Sequence, residues 1–165
     1  MSAKRIISLL CLTGMVFVLL CGQTALSDGQ NSMAAALRRD ERLPDRVHYI
    51  KLPDGMLYQA PSGEEKDLKG IWLMEPEMEI EIFSYDAPGA ELQSLAEQLT
   101  AAGRTAEIRE IGGMNFLVFQ DRDEADGALC IGYAYLWEGR MIEISFFCAT
   151  QDAMELSKAV MESFH

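Results

Sequence analysis

The stretch EMEIEIFSY, residues 77–85, alternates with period two. Met78, Ile80 and Ile82 fall on one side, and Glu77, Glu79, Glu81 and Phe83 on the other. Such a period belongs to a strand with one buried face. Extended patterns recur at VHYIKL (47–52), MLYQ (56–59), IWLM (71–74), AEIREI (106–111), MNFLVFQ (114–120), ALCIGYAYLW (128–137) and RMIEISFFC (140–148). Turn signals separate them: Pro53-Asp54-Gly55, Gly112-Gly113, Asp126-Gly127 and Glu138-Gly139. The period changes to that of a helix twice. In DAPGAELQSLAEQLTAAG (86–103), Pro88 sits near the start, Leu92, Leu95, Ala96 and Leu99 share a face, and Gly103 suits a left-handed cap. In QDAMELSKAVMESFH (151–165), Thr150 precedes as the N-cap, and Ala153, Leu156, Val160 and Phe164 form the stripe.

Strands that follow one another through tight turns pair antiparallel. Two amphipathic helices must then lay their stripes on that sheet. The expectation is an α+β fold, with one domain over 47–165. A two-residue turn at Glu138-Gly139 sets the last hairpin's register. Ile142 then faces Tyr135, Ile144 faces Tyr133, Phe146 faces Ile131 and Cys148 faces Leu129. The opposite side holds Met141, Glu143, Ser145 and Phe147 against Leu136, Ala134, Gly132 and Cys130. Cys130 and Cys148 fall on opposite sides of the sheet, so no bond joins them.

The first residues follow a different rule. Lys4 and Arg5 precede an uncharged run from Ile6 to Cys21, and Ala25-Leu26-Ser27 has the small residues of a cleavage site. This reads as a secretory signal peptide over 1–27. The run is short of the ~20 residues of a membrane span, so no integral membrane domain is expected after cleavage. An uncleaved anchor is one alternative. A lipid anchor at Cys21 is the other, against which Leu20 stands where a lipobox carries Gly, Ala or Ser. Residues 28–46 read as a linker: MAAALRRDER offers a turn or two of helix and no second apolar stripe to bury.

Charge narrows the partners. The 165 residues carry 14 Lys plus Arg and 26 Asp plus Glu, a formal charge of −12. Loss of 1–27 removes two cations and no anion, leaving (14 − 2) − 26 = −14. A chain of that sign repels phosphate backbones, so nucleic acid is not an expected partner, and a basic macromolecule is.

Catalytic chemistry finds little support. His48 and His165 are the only histidines, and no nucleophile elbow, His-Glu-x-x-His, Cys-x-x-Cys or phosphate loop is present. Neither a catalytic residue nor a cofactor is expected. DRDEADG (121–127) offers Asp121, Asp123 and Asp126 as weak metal candidates. With Asp121 at position 1 of a calcium loop, position 5 is Ala125, position 6 is Asp126 and position 12 is Gly132. That register fails the EF-hand pattern, and a solvated turn is the better reading. The ladder Glu77, Glu79, Glu81 reads first as the wet side of a half-buried strand, with Arg109 or Arg140 to relieve its charge. As a binding surface, it would join Trp72 and Trp137, with Tyr133 and Tyr135 as further aromatic lining.

The run from Val47 to Phe164 resembles small exported bacterial domains of the PsbP-like fold. An extrinsic protein of photosystem II and a Ran-binding import factor share that fold. VHYIKLPDG, EIEIFSYDAPGAELQSLAEQL, EIREIGGMNFLVFQ and MIEISFFCATQDAMELSKAVMESF carry the resemblance, by pattern and order. It implies an antiparallel sheet between helices, an α/β/α sandwich. It also implies action by binding macromolecules, and it transfers no functional residue. The expected function is an exported, non-enzymatic binding or accessory protein of the cell envelope or secreted space. The alternatives are a small-ligand or cation carrier and a carboxylate-based hydrolase using Glu79 or Asp123.

Overall fold

The computed structural model describes residues 37–63, 65–74, 77–122 and 129–165. The leader over 1–27 and the first part of the linker lie outside them, as do Asp123 and Asp126. Two antiparallel strands, β1 (Leu37–Arg42) and β2 (Tyr49–Pro53), make a small ribbon. Seven more form one sheet: β3 (Leu57–Gln59), β4 (Leu68–Met74), β5 (Met78–Asp86), β6 (Thr105–Ile111), β7 (Met114–Arg122), β8 (Leu129–Trp137) and β9 (Arg140–Cys148). Their order is β3-β4-β5-β9-β8-β7-β6, and every neighbouring pair is antiparallel. Helix α1 (Leu92–Ala101) connects β5 to β6, and α2 (Gln151–Glu162) closes the chain. The α+β expectation holds.

Local chemistry explains these boundaries. Gly103 follows α1 at φ 84°, as its cap position requires. Thr150 Oγ1 accepts from Ala153 N at 3.1 Å and starts α2. The final hairpin turns through Glu138 and Gly139 at φ 48° and 76°. Two positive φ angles make the turn type that matches strand twist. The register is the expected one, with Tyr135 opposite Ile142, Tyr133 opposite Ile144, Ile131 opposite Phe146 and Leu129 opposite Cys148. Cys130 and Cys148 are free thiols, as that register requires.

One face of the sheet carries the main core. Ile80, Ile82, Phe116, Tyr133, Tyr135, Ile144 and Phe146 pack with Ala153, Val160 and Phe164 of the C-terminal segment and with Leu43, Ile50 and Leu52 of the ribbon region. The stripe of α2 is rotated slightly from the expected one: Ser157 is buried and Leu156 only partly so. On the other face, α1 buries Leu95, Ala96 and Leu99 over the β6–β7 side.

The linker reading needs correction over residues 37–46. Leu37–Arg42 is strand β1, and Leu43 lies in the core at 1% exposure. The backbone of β2, not a stripe of side chains, holds this strand in place, so its polar sequence hid it. His165 is likewise anchored: its N–H donates to Tyr49 O and its O accepts from Tyr49 N.

Candidate functional site

Strands β5 and β9 are central neighbours, and their alternation sends Glu79, Glu81, Glu143 and Ser145 to the face opposite the main core. Leu73 and Phe147 flank Glu79 as its cross-strand partners, while Ile71 and Ser145 flank Glu81. Ile71, Leu73 and Phe147 are half-buried, as is Glu79. Glu81 is 6% exposed and Glu143 3%. The wet-face reading of this side therefore fails at Glu81 and Glu143, and Phe83, Tyr85 and Met141 on the same face are buried as well.

Each buried carboxyl has a partner within the cluster. Ser145 Oγ donates to Glu143 Oε1 at 2.7 Å, and Glu81 shares a side-chain hydrogen bond with Glu79. Glu81 Oε2 and Glu143 Oε2 are buried without a partner. Desolvation is the main cause that pushes Glu81 up to about 8, and Glu79, Glu65 and Glu143 add repulsion. Burial alone pushes Glu143 up to about 7, against the pull of Ser145. Glu79 is also raised by burial, with its bond to Glu81 opposing. Burial raises the Cys130 thiol too, reinforced by Glu143 and Asp121. Two carboxyls that lack partner cations in a poorly solvated place hold protons near neutrality.

The cations expected to relieve the ladder are engaged elsewhere. Arg140 donates to Ser84 Oγ at 2.9 Å and pairs with Asp86 at 3.0 Å, toward the opposite face. Arg109 pairs with Glu107 on the same strand. Glu77 precedes β5 in a turn, where its O accepts from Ala149 N. Trp72 and Trp137 do not join this surface. Trp72 is buried with the main core, its ring lying over Gly70, and Trp137 meets the His48 ring edge-on at 4.8 Å. Tyr133 and Tyr135 are core residues, on the face opposite the carboxyl ladder. Asp121 pairs with Arg104 at 2.9 Å. Among the described residues, no three His, Cys, Asp or Glu side chains are grouped to hold a metal ion.

A second polar group sits on the core side. Asp45 Oδ2 accepts from the Tyr135 hydroxyl at 2.5 Å and meets His48 Nδ1 at 2.7 Å, while Oδ1 accepts from the N–H groups of Val47 and His48. His48 stacks on Phe164 with ring centres 4.9 Å apart. Burial opposes the charge on Asp45, but these hydrogen bonds outweigh it and hold the carboxyl below its usual range. The arrangement fastens the β1–β2 turn to β8 and gives His48 a structural role. A shallow depression of ≈ 340 Å³ lies between β6 and α2, beside Arg109, Tyr133 and Lys158. Its cations already have partners in Glu107 and Glu155.

No family model matches the chain, and no curated protein does. Solved structures do. One is the solution structure of cyanobacterial PsbP (CyanoP) from Synechocystis, at TM-score 0.59 and 14% identity, covering 84% of this chain and 97% of that one. The chain has a PsbP-like fold. A crystal structure from Bacteroides thetaiotaomicron matches with TM-score 0.57 and 9% identity over 78% of this chain, which spans 48% of that protein. The PsbP-like resemblance seen in the sequence is thereby shown as a fold. Among the described residues, no helix of this PsbP-like domain is long and apolar enough to cross a membrane.

Sequence reasoning singled out Glu79 and Glu81 but missed Glu143, Ser145 and Asp45. The hairpin register already put Glu143 and Ser145 on one face. Missing was the pairing of β5 with β9, which joins residues some 60 positions apart.

Proposed function

We propose that this chain is an exported, non-enzymatic binding or accessory protein of the cell envelope or secreted space, and that it works through surface contacts. The carrying observation is the carboxyl cluster on β5 and β9, rimmed by half-buried Ile71, Leu73 and Phe147. Apolar surface beside under-satisfied acidic groups suits a basic macromolecular partner. The net charge of −14 left after loss of 1–27 adds long-range attraction for such a partner. The leader over 1–27 would deliver the domain across a membrane and be removed.

The test is fractionation of the producing cell. The domain is expected with the envelope or the medium, shortened at residue 27, and released from envelope material by raised salt. A cytoplasmic, full-length, salt-indifferent protein would overturn the reading.

The hydrolase alternative gains one specific observation, the raised carboxyls of Glu81 and Glu143. A hydrolase would need them to flank a substrate bond from opposite sides of a cleft. Here they project from adjacent strands of one sheet face, so binding is the better reading.

A further inference from the structure

We propose that the Glu81–Glu143 carboxyl pair is a socket for an arginine side chain carried on an extended basic segment of a partner protein. The proposal rests on the surface-contact reading above and gives that contact its chemistry.

The two free acceptors are Glu81 Oε2 and Glu143 Oε2. They come from neighbouring central strands; the other oxygen of Glu143 accepts from Ser145, and Glu81 shares a side-chain hydrogen bond with Glu79. A guanidinium offers parallel N–H donors in a fixed fork and sheds water more readily than an ammonium. It can satisfy both oxygens at once. A metal ion fits less well, since among the described residues no three ligand side chains are grouped for one. The half-exposed Glu79 leads from the surface to the pair, and Leu73 and Phe147 flank it. Phe147 offers a flat face for the guanidinium, and Leu73 an apolar wall for its stem.

Among the described residues, the charges that act on Glu81 are those of Glu79, Glu65 and Glu143, all acidic. Glu143 also acts on Tyr85 of β5 and Cys130 of β8. Farther out, Asp67 acts on Tyr85 and Asp121 on Cys130, with Arg104 paired to Asp121. An arriving arginine supplies the missing cation, so binding expels a proton and tightens as pH rises from about 6 to 8.5.

The full chain is titrated calorimetrically with a synthetic peptide alternating arginine and valine, and with the same peptide carrying citrulline, arginine's uncharged isostere. Buffers of different ionisation heat report proton release. The arginine peptide is expected to bind at least tenfold tighter than the citrulline peptide, to gain roughly tenfold between pH 6 and 8.5, and to release a proton. Glu81→Gln and Glu143→Gln should each lose tenfold or more, whereas Glu107→Gln on β6 should change affinity less than twofold. Thermal unfolding checks that each variant is folded, and Glu79→Gln at the rim provides a second probe if one is not. Equal affinity for the two peptides, or equal losses at Glu81 and Glu107, would overturn the socket. Salt-sensitive envelope association that survives in the double variant would also overturn it, leaving the wider reading intact. Failure of the unaltered chain to associate would overturn that wider reading.

Discussion

Glu138 holds a φ of 48°, one of two non-glycine residues with positive φ among those described. Its turn type favours asparagine or glycine there, since a Cβ with a longer side chain strains the left-handed region. Glu138→Asn should therefore raise stability by about 0.5–1 kcal/mol in denaturant titration, with no change of structure. Tyr135 has the opposite sensitivity, because its hydroxyl donates to a carboxylate that burial alone would penalise. Tyr135→Phe should cost about 1–3 kcal/mol at neutral pH. Asp45 sits below its ordinary range, so the stability it contributes is present above the unfolded carboxylate's value and is lost as pH falls through the folded one. Removing the phenol raises that folded value, and acid unfolding should begin at higher pH. A pH titration of far-ultraviolet circular dichroism reads both effects.

At the scale of elements, the β1–β2 ribbon stands apart from the seven-stranded sheet and is tied to the rest by core side chains and the Tyr49–His165 backbone pair. Leu43, directly after β1, anchors it in the core together with Ile50 and Leu52, so Leu43→Ala should destabilise by about 2–4 kcal/mol through lost burial and an unfilled hole. Loss of amide protection should appear first in Leu37–Pro53. Most strands and both helices were legible because their side chains alternate or repeat against a core. β1 was not: LRRDER has a single apolar residue, its burial is slight, and backbone pairing with β2 alone defines it. Glu79 and Glu81 were legible as one ladder, but their burial was not. Period two marks which side chains share a face. It cannot say whether that face meets water, and here Phe83, Tyr85 and Met141 decide the matter from positions that read as ordinary strand residues.

For the molecule as a whole, the buried carboxyls set the response to pH. Glu81 and Glu143 titrate at about 8 and about 7 when folded, above the unfolded value. Their contribution is complete below the unfolded carboxylate's range and is lost as pH rises through these folded values. The thermal midpoint should therefore fall between about pH 5 and 8, and the Glu81→Gln, Glu143→Gln double variant should flatten that slope and be the more stable chain at pH 8, by roughly 1–3 kcal/mol. The open sheet has another global effect through its unlike borders. β6 shows solvent Glu107, Arg109 and Glu110, charges that discourage a neighbour from pairing. β3 is only three residues long, yet it leaves Leu57 70% and Tyr58 53% exposed. Crowded solutions will thus find the weak margin at β3, where self-adhesion starts and where a lysine in place of Leu57 would keep the protein dispersed.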